Sequence, residues 1–327
     1  DLKLLNLYLA LLGLLVVPKA IFALFSFLGH LWCRLAHCRH NWGNWIGLFV
    51  GLFVICVFIY GYTIGFRSLS VKHVDLEFAD LPDSFDGYRI VQFSDAHVGT
   101  FTGKRKAILR RAIDSINAQK ADVIVFTGDV QNVQPSELYP AQSILASLSA
   151  QDGVYSVLGN HDYSTYVKAD PAVKAFNERE LISLERRLGW DLLLNEHRVV
   201  HRGKDSLVIA GEENGGAPPF LNKADLNKTL SSVSTGAFVI MLQHDPSAWR
   251  REILPKSRVQ LTLSGHTHGG QLSLFGFRPT MLTASEDKGL YEQSGRYLYV
   301  SAGLGGVVPF RFEMPGEITV ITLHKKK

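Results

Sequence analysis

Cysteine is scarce and confined: Cys33, Cys38 and Cys56 are the only three, and all precede residue 66. The rest of the chain therefore has no thiol nucleophile, no thiolate metal ligand and no disulfide. Charge is just as scarce in that opening stretch. Residues 1–65 carry five formal charges (Asp1, Lys3, Lys19, Arg34, Arg39), whereas the following 262 residues carry 59. These 59 divide into 30 basic and 29 acidic groups, a near-neutral balance that argues against nucleic acid as a partner, since neutralising phosphates takes a basic face. No His-Glu-x-x-His sequence occurs, which removes the zinc-peptidase helix. An initiating methionine is also missing, and Asp1-Leu2-Lys3 runs straight into apolar sequence, as expected of a chain whose N-terminus is incomplete.

What the opening stretch does have is apolar length. Between Arg39 and Arg67 there is no charged residue, and Ile46 to Ile64 is a 19-residue run. At 1.5 Å per residue it nearly matches a hydrocarbon core of about 30 Å, so a transmembrane helix is predicted. Trp42, Trp45, Tyr60 and Tyr62 sit at its ends, where aromatic rings favour the headgroup level. Leu4 to Trp32 is divided at Pro18-Lys19 into two runs short for a span, predicting the remainder of one span followed by an interfacial helix. The His30, Cys33, His37, Cys38 and His40 cluster lacks repeated Cys-x-x-Cys spacing and reads as a polar headgroup-level loop. Arg34 and Arg39 in that loop favour a cytoplasmic position for it, which sends everything after residue 64 to the extracytoplasmic face. The predicted organisation is a membrane segment over 1–66 and a catalytic domain over 67–327.

From about Val71 onward, β-rich runs alternate with helical patterns, the order of an α/β or α+β domain. Five runs each end in polar residues. Tyr88–Ser94 leads to Asp95 and His97, and Asp122–Thr127 to Gly128-Asp129. Val154–Leu158 leads to Asn160, His161 and Asp162, Ala237–Gln243 to His244, and Val259–Ser264 to His266 and His268. Sites in open α/β sheets form at such C-terminal strand ends. Helical periodicity marks Arg105–Asn117, Pro140–Leu148 and Pro171–Leu188.

Asp95, His97, Asp129, Asn160, His244, His266 and His268 are oxygen and imidazole donors, suited to Mn, Fe or Zn. Seven donors exceed one tetrahedral shell, and two divalent metal ions sharing a carboxylate would use them all. Two aspartates against two such ions leave positive charge, which draws an anion such as phosphate. Asp162 reads more simply as a cap on a following helix, and Glu212-Glu213 as a solvated loop.

This ordered series, Asp95-x-His97, Gly128-Asp129, Gly159-Asn160-His161-Asp162, His244 and Gly265-His266-x-His268, resembles the motif set of the calcineurin-like metallophosphoesterase superfamily over about residues 85–325. Gly265–Gln271 and Tyr299–Gly305 further resemble its membrane-associated bacterial subgroup. The resemblance implies a four-layer β-sandwich flanked by helices, preceded by the transmembrane segment. It implies one metal on Asp95, His97, Asp129 and His268, and a second on Asp129, Asn160, His244 and His266, with Asp129 bridging. It assigns His161 the protonation of the leaving oxygen. The function implied is a membrane-anchored hydrolase of phosphodiester, phosphomonoester or pyrophosphate bonds. A lipid-linked substrate is one version, as in the related UDP-diacylglucosamine pyrophosphatases. A metal-binding scaffold of the same fold without turnover is the alternative.

Overall fold

Alternating side chains along the strands give each sheet one face for a shared core and one for an outer layer. In the computed structural model, which describes residues 2–326, the strands are β1 (Leu69–Phe78), β2 (Tyr88–Phe93), β3 (Val123–Phe126), β4 (Val154–Ser156), β5 (Asp191–Leu192) and β6 (Glu196–Arg202). They continue as β7 (Asp205–Gly211), β8 (Val239–Leu242), β9 (Leu261–Ser264), β10 (Gly289–Gln293), β11 (Arg296–Val300) and β12 (Gly316–Lys325). Asp1, Lys327 and the side chain of Lys3 lie outside the described residues. One sheet has the order β1-β12-β2-β3-β4-β5 and the other β10-β11-β9-β8-β7-β6. Both are mixed. The β2-β3-β4-β5 and β11-β9-β8-β7 runs are parallel, so their strands deliver their C-terminal ends to one edge.

Ile90, Val123 and Val125 of the first sheet and Ile209, Ile240, Leu242 and Leu263 of the second meet in one buried cluster. The neighbours in sequence, Val208, Ala210, Val239 and Met241, face the opposite way and pack with Trp249, Ile253 and Leu254. That inside and outside alternation produces the expected layered sandwich. Gln92 crosses the sandwich, its Nε2 donating to Thr127 Oγ1 at 3.2 Å and to the Ser264 carbonyl at 2.8 Å.

Helix α4 (Lys106–Ala118) buries Leu109, Ala112, Ile113 and Ile116, the periodic residues of its sequence. The Pro140–Leu148 helix shrinks to α5 (Gln142–Leu145), past which Ser147 Oγ donates to the Ile144 carbonyl at 2.7 Å and Asn117 Nδ2 to the Ser147 carbonyl at 2.8 Å. Helix α6 (Pro171–Arg187) starts on its proline and ends before Gly189, as the sequence predicts.

The chain divides into two units, residues 1–68 with Val308–Glu313, and Leu69–Val307 with Met314–Lys327. In the first, helix α1 (Leu2–Leu11) continues through a π-helical segment, Leu12–Val16, into α2 (Val17–Ala36). The predicted break at Pro18 is therefore absent. A wider π turn ahead of the proline accommodates its missing N–H, and Pro18 occupies the first turn of α2. His37 closes that helix in the left-handed conformation (φ 53°). Helix α3 (Trp42–Thr63) follows. Leu4–Ala36 and Trp42–Arg67 are both long and apolar enough to cross a membrane. Gly43, Gly47 and Gly51 are buried on one stripe of α3, and a Cβ on Gly43 would lie 2.1 Å from the Phe25 carbonyl. Phe310 packs against Phe58 and Tyr62, with ring centroids 5.4 and 5.5 Å away.

Candidate metal centre

The loops leaving β2, β3 and β9 hold side chains in a conformation most residues avoid. Asp95 (φ 50°), His97 (42°), Asp129 (62°), His266 (74°) and His268 (54°) are all left-handed. Such backbone strain persists only where surrounding contacts enforce it, and it gathers at functional sites. Close glycine packing surrounds two of them. A Cβ on Gly159 would sit 2.2 Å from Asp129 Oδ1, and one on Gly265 would sit 2.4 Å from Asp95 Oδ2.

Asp129 lies at the middle. His97 Nε2 is 3.6 Å and His244 Nε2 3.3 Å from its Oδ2, while its Oδ1 accepts the His161 N–H at 2.8 Å. On one side, His268 Nε2 stands 3.4 Å from Asp95 Oδ1. On the other, Asn160 Oδ1 lies 3.2 Å from His244 Nε2 and 2.8 Å from His266 Nδ1. Asp95, His97 and His268 offer ligand atoms within 4.8 Å of one another, as do Asp95, Asp129 and His244, and His97, Asp129 and His161. All eight side chains singled out in the sequence are thus brought together.

Carbonyls fix several rings. His97 Nδ1–H donates to Gln131 O at 3.0 Å and His244 Nδ1–H to Thr127 O at 2.7 Å, which turns both Nε2 atoms inward. His97 Nε2 is buried and has no hydrogen-bond partner among the described residues. An unpartnered acceptor beside two carboxylates fits a divalent cation.

Protonation follows the same logic. Burial pushes His97 down to about 3 and His266 down to about 4, so both imidazoles are neutral, the form a metal binds. Burial raises Asp95 to about 6, with Asp129 adding to the shift and His244 opposing it. Burial also opposes charge on Asp129 and His244, but their mutual attraction wins. It holds Asp129 well below the usual carboxylate range and lifts His244 to about 10. The buried carboxylate thus demands a positive charge, which a metal ion would supply in place of the proton.

Three features were not visible in the sequence. Asp162 is no helix cap: its carboxylate accepts the N–H groups of Asp129 and Gly159 at 2.8 Å, Val130 at 3.0 Å and Gln131 at 3.3 Å. The Tyr166 hydroxyl accepts from Asn160 Nδ2 at 2.9 Å, which turns the amide oxygen toward His244 and His266. Glu212 is buried and Glu213 half-buried, rather than both standing in a solvated loop. Gln243 Nε2 donates to buried Glu212 at 2.8 Å, and Asn195 Nδ2 to Glu213 at 2.9 Å. Partners that far along the chain leave no local signal, although Tyr166, six residues after Asn160, is near enough to have been suspected.

Two mixed sheets with oxygen and imidazole donors converging at their strand ends define a metallohydrolase-like centre on a two-sheet α/β core. The chain belongs to the calcineurin-like phosphoesterase family, whose profile matches residues 88–270, a family of metal-dependent phosphoester hydrolases. It is 32% identical over 278 residues to a transmembrane protein with metallophosphoesterase domain from Danio rerio, covering 82% of this chain but only 60% of that relative's length. An uncharacterized metallophosphoesterase of Bacillus subtilis is 34% identical over 252 residues, 74% of this chain and 81% of that one. A UDP-2,3-diacylglucosamine pyrophosphatase of Chlamydia trachomatis is 30% identical over 297 residues, 74% and 86% of the two chains.

Proposed function

We propose that residues 67–327 form a dinuclear-metal phosphoesterase anchored by residues 1–66, with its site on the extracytoplasmic face. Asp95, His97, Asp129 and His268 would hold one divalent ion, and Asp129, Asn160, His244 and His266 the other. The convergence of His97 and His244 Nε2 on one oxygen of Asp129 carries this reading. When bound, the ions supply positive charge for phosphoryl oxygens and acidify water. His161 manages the leaving group. Its Nδ1–H is tied to the Asn132 carbonyl at 2.6 Å, and Glu137 accepts the Asn132 N–H at 2.6 Å. Nε2 is thereby oriented to hold the proton that the departing oxygen takes up.

A lipid-linked phosphodiester or pyrophosphate is the substrate class we favour, supported by the membrane helices and by the lipid pyrophosphatase among the relatives. The test is manganese-dependent hydrolysis of bis-p-nitrophenyl phosphate, p-nitrophenyl phosphate and a lipid-linked pyrophosphate by the full chain in detergent. Turnover should vanish in Asp129→Asn, and the lipid substrate should have the highest kcat/KM. Folded protein that binds no metal would overturn the proposal. His161→Ala should lower kcat about 10²–10⁴-fold for alkyl esters, and less for p-nitrophenyl esters, whose leaving group needs little protonation.

A further inference from the structure

Immediately after the His268 loop the chain forms a hairpin with a tip made of residues that water disfavours. Leu274 and Phe277 exchange two backbone hydrogen bonds of 2.9 and 3.0 Å around Phe275 (φ 51°) and Gly276 (φ 86°). Two consecutive positive φ values make a type I′ geometry, for which asparagine or aspartate before glycine is the easy choice. A phenylalanine in that position is strained, yet its side chain is 92% exposed. The following turn, Pro279–Leu282, adds Met281 and Leu282, the latter 77% exposed. With Leu274 and Phe277 also exposed, five large apolar side chains share one short segment.

The segment is clear of outward charge and firmly held. Between Gln271 and Ala284 the only charged residue is Arg278, whose guanidinium turns back to Asp287 in two bonds of 2.6 and 3.1 Å. Thr280 Oγ1 donates to the same carboxylate at 3.1 Å, and the Asp287 carbonyl accepts from Thr267 Oγ1 at 2.5 Å. Asp287 therefore ties the hairpin to the loop that carries His266 and His268. Five residues, Ile64–Ser68, join α3 to β1, so a bilayer crossed by α3 lies within about 20 Å of the start of β1.

We propose that Leu274–Leu282 is a membrane-insertion hairpin, burying Phe275, Phe277, Met281 and Leu282 in the acyl boundary of the bilayer that holds the chain's own helices. Apolar residues presented on a rigid support, without masking charge, match an interfacial anchor entering roughly 5–10 Å below the headgroups. This goes beyond the proposed hydrolysis and does not depend on it, but it rests on the proposed membrane anchoring by residues 1–66.

The test uses the full chain in lipid nanodiscs, with Cys33, Cys38 and Cys56 replaced by serine and Phe275→Cys carrying an environment-sensitive fluorophore. Lys204→Cys in the β6–β7 turn serves as the aqueous control. Nitroxide on upper acyl carbons should lower the 275 signal at least about twofold and leave the control unchanged, given that insertion depth. An unquenched signal at 275 overturns the proposal. So does burial that ignores the nitroxide but grows with protein concentration, which would mark a second copy instead. Hydrogen exchange on the unmodified chain guards against a misfolded variant. Amides of 272–284 should exchange more slowly in nanodiscs than in a lipid-free amphipol, and equal rates would overturn the assignment.

Discussion

Asp162 shows how much of this site rests on a residue outside the candidate ligand set. Its two oxygens accept four buried N–H groups and pin the loop after β3 to the loop after β4. Asp162→Ala leaves those donors unsatisfied, at about 1–3 kcal/mol each before relaxation. We expect a net loss of at least about 3 kcal/mol and a melting temperature lower by roughly 10 °C. A thermal melt within about 2 °C of the parent would sink that account. The candidate ligands were legible because each lies within a few residues of a strand end, whereas three of Asp162's four partners lie 31–33 residues away. Glu185 was equally invisible. Its Oε2 accepts from Ser156 Oγ at 2.7 Å, and its Oε1 is buried with no hydrogen-bond partner among the described residues. Burial, reinforced by Asp162, raises its pKa well above the usual carboxylate value, so the folded state retains a proton that the unfolded chain releases near pH 4.3. Its contribution to stability is full below that pH and is lost as pH rises toward the folded pKa. Glu185→Gln should therefore gain on the parent in melting temperature between pH 5 and pH 8. An unchanged difference across that range would refute the assignment.

Among the elements, the strands of the parallel runs were the easiest to read, because β-branched runs ending in Gly, Asp, Asn and His carry both their structure and their edge in sequence. The π-helical passage into α2 was harder. Proline marks a helix boundary by local rules, and only a neighbouring helix justifies carrying on past it. That neighbour packs through Gly43, Gly47 and Gly51, a small-residue stripe at four-residue spacing. Close backbone approach is its purpose: a Cβ would meet the Phe22 carbonyl from Gly47 at 3.0 Å and the Pro18 carbonyl from Gly51 at 3.2 Å. In lipid, helices gain little from apolar burial, so this approach supplies most of their association. Gly43→Val should loosen the pair, since its Cβ would meet backbone at 2.1 Å. Leu48→Val, on an exposed face of the same helix, should not. Circular dichroism melts in detergent should show a lower helical transition for Gly43→Val alone. Equal melts of the two variants would mean that the stripe is not the seam.

For the molecule as a whole, the centre is both the place where chemistry is proposed and a concentration of unfavourable terms. Asp95, Asp129 and Asp162 are buried carboxylates at one edge of the sandwich, answered by imidazoles, backbone N–H groups and the Ser94 hydroxyl. A cation that binds the folded state and not the unfolded chain converts this into stability. The gain is RT ln(1 + [L]/Kd), or about 2.7 kcal/mol at a hundredfold excess over Kd. For a domain of this size that corresponds to a rise of roughly 5–10 °C in melting temperature. Manganese should raise the transition of the β-rich unit by this amount, and chelation should reverse it. Asp129→Asn should remove most of the response, because both proposed ion positions share that carboxylate. The helical unit, which holds none of these donors, should melt at the same temperature with or without metal. Separate signals make the comparison possible: the aspartate and histidine cluster lies in residues 69–307, and the two apolar helices lie in residues 2–68. A metal-induced rise that survived Asp129→Asn would mean that the ions bind elsewhere, and the dinuclear assignment would fall with it.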